Sequence, residues 1–105
     1  MNAIIEWAPI KLAAGKTEKD LLAASETFQR DFLSAQPGFL RRELVRKSAR
    51  DYVDIVHWRS EADAKAIMDK VQGSPACATY FSVMDMGDGD MTGGVDHFTS
   101  LAVYL

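Results

Sequence analysis

The sequence predicts an α+β domain of the ferredoxin-like βαββαβ plan, a four-stranded antiparallel sheet with helices packed on one face. Three observations carry this reading. Segments rich in β-branched and aromatic residues fall at 3–12, 39–47, 52–59 and 95–105 and read as strands. Between the first and second, and again between the third and fourth, apolar residues recur at spacings of three and four, the period of one helix face. Glycine and proline stand where one period gives way to the other.

Ala3 to Leu12 is the first strand. Pro9 interrupts it, because a proline in a central strand removes a ladder donor; a bulge, or an end near Ala8, is the expected consequence. Gly15 and Lys16 turn the chain, and Thr17 is placed to cap a helix whose first turn carries Glu18 and Asp20. Leu21, Ala24, Phe28, Phe32 and Ala35 form its apolar face as far as about Gln36, where Pro37-Gly38 stops it. Phe39–Lys47 and Tyr52–Arg59 form a hairpin around Ala49-Arg50-Asp51. Ser60 and Asp63 resemble a capping box for a helix bearing Ala64, Ile67, Met68 and Val71. Gly73-Ser74-Pro75 then starts a short helix with Cys77, Tyr80, Phe81 and Met84 on one stripe. Asp85 to Gly94 holds four of the seven glycines and three aspartates, and reads as an exposed linker or a lid over a cleft. Its aspartates lack the spacing and closing glutamate of a calcium loop. Val95 to Leu105 is the last strand.

A chain of 105 residues accommodates one domain, spanning 1–105. With 12 Lys/Arg against 15 Asp/Glu and a net charge of −3, it lacks the basic surface of a nucleic-acid or anionic-membrane binder. No apolar run reaches the length of a membrane span, and the first residues show no basic segment with a cleavage pattern. One cysteine, Cys77, excludes an internal disulfide. The expected setting is the cytoplasm, with neither nucleic acid nor membrane as partner.

Strand alternation gives the sheet two apolar faces. Val53 and Ile55 oppose Tyr52, Val56 and Trp58; Ile4, Ala8 and Ile10 oppose Ile5 and Trp7; Phe98, Ala102 and Tyr104 oppose Leu101, Val103 and Leu105. Helices cover one face only, so a second copy packed sheet against sheet, a two-fold homodimer, is expected on the other.

Gln36-Pro-Gly-Phe39 and Asp54-Ile-Val-His-Trp-Arg-Ser-Glu-Ala62 resemble the antibiotic biosynthesis monooxygenase family. There a Pro-Gly-Phe opens the second strand, and an aromatic followed by a Ser-x-Glu-Ala pattern leads the third strand into the second helix. The resemblance spans nearly the whole chain in element order. It implies a dimeric α+β barrel and, in some members, oxygenation of aromatic polyketides or quinols with neither metal nor flavin. Other members degrade haem, using an asparagine on the first strand, a tryptophan in the second helix and a histidine on the next. Those places hold Trp7, Ile67 and Cys77 here, so the resemblance does not extend to haem degradation, which needs an axial ligand.

Cofactor-free oxygenation needs a base to make an electron-rich phenolate, and an apolar pocket to hold it. His57 and His97 are the side chains that titrate near neutrality and are the candidate catalytic bases, His57 first. The plainer reading makes His57 a hydrogen-bonded interior or interface residue and His97 a solvated strand end. Trp7, Trp58, Tyr80 and Phe81 are candidate pocket walls, or core. Cys77 also faces this region, more as a small buried hydrophobe than as a nucleophile. Arg42, in the charged second strand, either guards a sheet edge or binds a ligand carboxylate or phenolate. Two histidines without a carboxylate or thiol cluster make no metal site, and no cofactor is expected. The sequence therefore reads as a monooxygenase-like protein for a small aromatic or quinol-type ligand; the alternative is a non-catalytic binding or interaction domain of the same fold.

Overall fold

The computed structural model describes residues 2–85 and 94–105. Along the chain run β1 (Ile4–Lys11), α1 (Glu18–Asp31), a 3-10 turn (Leu33–Ala35), β2 (Phe39–Arg46), β3 (Asp51–Trp58), α2 (Glu61–Lys70), a second 3-10 turn (Val71–Gly73), α3 (Pro75–Ser82) and β4 (Asp96–Thr99). The strands are antiparallel in the order β2-β3-β1-β4, the ferredoxin-like arrangement with β1 and β3 central. No helix among the described residues is long and apolar enough to cross a membrane.

Each helix begins on a side-chain cap. The Thr17 hydroxyl accepts from the Asp20 amide while Asp20 accepts from the Thr17 amide, a complete capping box. Ser60 and Ser74 accept in the same way from the amides of Asp63 and Cys77. Helix α1 ends at Asp31, earlier than its apolar periodicity suggests, because Phe32 leaves helical geometry and a 3-10 turn carries the chain onward. Gly38 then takes φ +79, and a Cβ there would collide with the Asp63 carboxylate. Only glycine lets this turn close against α2.

Register sorts the strand residues into two faces. Ile4, Glu6, Ala8 and Ile10 of β1 lie beside Trp58, Val56, Asp54 and Tyr52 of β3, and this face packs under the helices. Leu21, Ala24 and Phe28 of α1, Ala64 and Ile67 of α2, and Cys77 and Tyr80 of α3 complete the core. Ile5, Trp7, Ile55, His57 and Phe98 belong to the opposite face, where Trp7 is 38% and Phe98 51% exposed.

Three expectations change. Pro9 causes no bulge: β1 runs through it, paired with Val53. Strand β4 reaches only to Asp96 opposite Trp7, so β1 has one open side at Pro9 and a proline is tolerated there. Strand β4 is four residues long, and its last backbone bond joins the Ser100 amide to the Ala3 carbonyl. Beyond it Leu101, Val103, Tyr104 and Leu105 stand exposed, because this chain offers them no neighbouring strand. Finally, the acidic glycine-rich stretch read as a linker or lid lies at 86–93, outside the described residues, apart from its ends Asp85 and Gly94.

Candidate functional site

Between the helices and the sheet lies a partly open cavity of about 180 Å³. Strand β1 contributes Glu6, Ala8 and Ile10, and β3 contributes Asp54 and Val56; Phe28, Met68, Tyr80 and Phe81 come from the three helices, and Asp85 and Val95 flank it. Helical spacing places Tyr80 and Phe81 over the cavity, and the two-residue strand period places Glu6 and Asp54 beneath. The Phe28 and Tyr80 rings stack at 4.7 Å, with Phe81 6.5 Å from Tyr80.

One end of the cavity is a closed polar lock. The Asp54 carboxylate accepts from Arg42 Nε at 2.9 Å and Nη2 at 3.1 Å, and from the Tyr80 hydroxyl at 2.6 Å. Arg42 Nη2 also donates to Tyr80 Oη and to Ser25 Oγ, both at 2.7 Å, and the guanidinium carbon sits 5.2 Å from the Phe28 and Tyr80 ring centres. Burial penalises the Arg42 charge, but Asp54 and Tyr80 outweigh it and hold the guanidinium protonated. Burial first, and Asp54 second, push the Tyr80 hydroxyl well above the ordinary phenol value, so it stays a donor to Asp54. These residues tie α1, β2, β3 and α3 together with their hydrogen-bonding capacity spent on one another.

The other polar group is different. Glu6 Oε1 is buried without a hydrogen bond, as is Trp58 Nε1, which approaches Glu6 without closing one. His97 stands directly across the β1–β4 ladder, with its Nε2 3.5 Å from Glu6 Oε1. Burial raises the Glu6 carboxyl above the usual range; His97 lowers it and Asp54 raises it again, and the net position is high. Glu6 is thus a carboxyl able to hold or release a proton closer to neutrality than an ordinary glutamate.

The candidates from sequence divide between these places. Tyr80 and Phe81 line the cavity, and His97 reaches it through Glu6. His57 does not: it lies on the opposite face of β3, paired with Ile5 and Arg41, and burial followed by the Arg41 charge depresses its imidazole. Trp7 shares that open face and borders a second, more open depression with Lys11, Lys47 and Asp51. Trp58 is wholly buried in the core, edge-on to Phe39 at 6.0 Å. Cys77 is wholly buried too, and burial raises its thiol. Arg42 neither guards the edge nor awaits a ligand: its side chain is 7% exposed, and the carboxylate and phenol it binds are those of Asp54 and Tyr80.

Glu6, Ser25 and Asp54 were not singled out by the sequence reading. The signal for two of them is a lone acid at a core-facing position of an otherwise apolar strand, in Ile4-Ile5-Glu6-Trp7 and Val53-Asp54-Ile55-Val56. Among the described residues no group of three histidine, cysteine or acidic side chains is placed to hold a metal ion.

No protein-family model matches the sequence, and no curated protein does. Solved structures do match the fold. SnoaB, a cofactor-independent oxygenase from Streptomyces nogalater, superposes with a TM-score of 0.68 at 15% identity, over 100% of this chain and 97% of its own. A putative antibiotic biosynthesis monooxygenase from Bordetella bronchiseptica gives 0.64 at 16% identity, over 99% and 100%. A haem-degrading protein from Mycobacterium tuberculosis gives 0.60 at 18% identity, over 98% and 96%. Across neighbours of such different chemistry, what is shared is the backbone: the chain has the fold of the antibiotic biosynthesis monooxygenases.

Proposed function

We propose that this chain binds a small apolar or aromatic molecule in the cleft between helices and sheet, and oxygenates a phenol- or quinol-type member of that class without a cofactor. The observation carrying the proposal is the cavity itself: Phe28, Tyr80 and Phe81 wall it, and the Glu6–His97 pair stands at one side. An apolar enclosure of this size holds one small ring, since a cavity of about 150 Å³ lined by aliphatic and aromatic side chains accepts benzene. A base takes the phenolic proton and the apolar walls keep water from the electron-rich anion. The overall change is balanced: a phenol and dioxygen give a quinone and water, one oxygen atom entering each product. Of the two histidines, His97 is the one joined to the cleft. The fold likeness to SnoaB, a cofactor-independent oxygenase, agrees with this reading.

Oxygen uptake over a panel of phenols and quinols is the test. Uptake by the parent falls at least tenfold in His97→Gln, the order of a lost acid–base contribution, and is unchanged in His57→Ala. No uptake with any of the panel, while ligands still bind, favours the non-catalytic binding domain instead.

The working unit in this proposal is a two-fold homodimer formed through the open sheet face. Trp7, Phe98 and the apolar residues 101–105 support it, since a monomer would leave them in water.

A further inference from the structure

The cleft and the histidine joined to it are not in contact. Among the described residues no lysine, arginine or histidine borders the cavity, and its polar side chains are Glu6, Asp54, Tyr80 and Asp85. Asp54 and Tyr80 are committed to Arg42 and to each other, and Asp85 stands at the exposed rim. Glu6 belongs to two environments. Its side chain lines the cavity, yet its Oε1 is buried out of reach of it, close to the Trp58 indole and 3.5 Å from His97 Nε2. His97 in turn is 34% exposed. Beyond it lies the exposed Glu61 of α2, whose carboxyl Lys65 first and His97 last hold low. Cavity, Glu6, His97 and solvent thus follow one another in space.

From this order we infer that Glu6 and His97 form a proton relay, Glu6 taking the proton of a ligand in the cleft and His97 exchanging it with bulk water. The inference rests on the cleft being the site of oxygenation, and deepens that reading by dividing the work of the base between two residues. The ligand O–H bond breaks as a carboxyl O–H bond forms on Glu6, and the electron pair stays on the ligand oxygen, giving the phenolate that reacts with dioxygen. The proton moves on to the His97 imidazole and then to water. A proton returning by the same route completes the water molecule formed, so a turnover releases none. The division has a physical reason. A carboxylate in apolar surroundings is a stronger base than an exposed one, but it has no bulk water to hand its proton to. An imidazole at the surface exchanges protons readily with water, but this one does not border the cavity. The 3.5 Å separation is the loose geometry of an unliganded catalytic pair, which tightens on binding.

Two readouts on the whole chain test the relay. In nitrogen–proton NMR spectra of the imidazoles, saturation with p-cresol shifts His97 together with the Met68 methyl, whereas in Glu6→Leu it shifts Met68 alone. In oxygen uptake with o-cresol, which dioxygen converts to methylbenzoquinone and water, Glu6→Gln and His97→Ala each lose at least about tenfold, the order of a lost acid–base contribution. Imidazole added to the buffer raises uptake by His97→Ala at least about threefold, because a free base can replace a proton carrier that meets solvent. It leaves Glu6→Gln unchanged. A histidine that only props up the fold is not replaced by imidazole in solution, and the spectra of each variant report whether the fold is intact. His97 unmoved while Met68 shifts, no rescue of His97→Ala, or equal rescue of both variants overturns the relay while leaving the cleft a ligand site. No binding of p-cresol, or no uptake by the parent, overturns the relay and the oxygenase reading together.

Discussion

Arg42 and Asp54 are each 7% exposed at the side chain and joined by two hydrogen bonds, so the pair behaves as one unit. Replacing Asp54 with Ala strands a guanidinium in the core and costs about 3–5 kcal/mol in chemical denaturation. Replacing both, as Arg42→Met with Asp54→Leu, recovers much of that loss; a double variant as unstable as Asp54→Ala contradicts the account of the lock. Glu6 makes an independent prediction. Its folded carboxyl is raised, by burial first, so its contribution to stability is complete below the unfolded carboxyl range and is lost as pH rises through the folded value. Glu6→Gln mimics the protonated form, and therefore melts above the parent at neutral pH but level with it in acid. A melting difference that does not vary with pH refutes this. Gly38→Ala forces both a positive φ and a clash with Asp63, for a loss of about 1–3 kcal/mol measured in urea.

At the scale of elements, the helices were legible because their signals are local. Thr17, Ser60 and Ser74 cap the helices that follow them, and the residues at spacings of three and four lie in the core or pack against it, except Ala35, which is exposed because the helix has already ended. The strand faces were legible too, from alternation alone. What the chain did not disclose depends on contacts distant in sequence. Arg42 lies in a run of charges that reads as a solvated edge, and its inward course depends on Asp54, Ser25 and Tyr80, residues 12, 17 and 38 positions away. Likewise His57 sits among apolar strand residues on either reading, and only the pairing with Ile5 and Arg41 puts it off the cleft. Strand-forming residues run to the end of the chain, whereas pairing within this chain ends with the Ser100 amide on the Ala3 carbonyl. The five residues beyond Ser100 have strand-forming character and no partner strand here, the condition in which a second chain adds to a sheet edge. Deleting 101–105 is expected to leave the fold and its far-ultraviolet dichroism intact while weakening self-association at least tenfold in sedimentation experiments. Unaltered association removes that segment from the interface.

For the molecule as a whole, the sheet divides the work. One face, with the helices, encloses the cavity and the Glu6–His97 pair; the other, with Trp7, His57 and Phe98, faces outward. In this account the outward face pairs with a second copy, so light scattering at micromolar concentration gives twice the mass of one chain, and a single-chain mass contradicts it. The same division separates the two histidines, with His97 beside Glu6 on the helix-covered side and His57 on the outward face.

The division is tested most directly by where a ligand lands. In methionine-methyl and indole NMR spectra titrated with p-cresol, the account predicts saturable shifts at Met68 and Met84, which line the cavity, and none at the Trp7 indole on the other face. Shifts at Trp7 with Met68 and Met84 unmoved would place the site on the open face and contradict it.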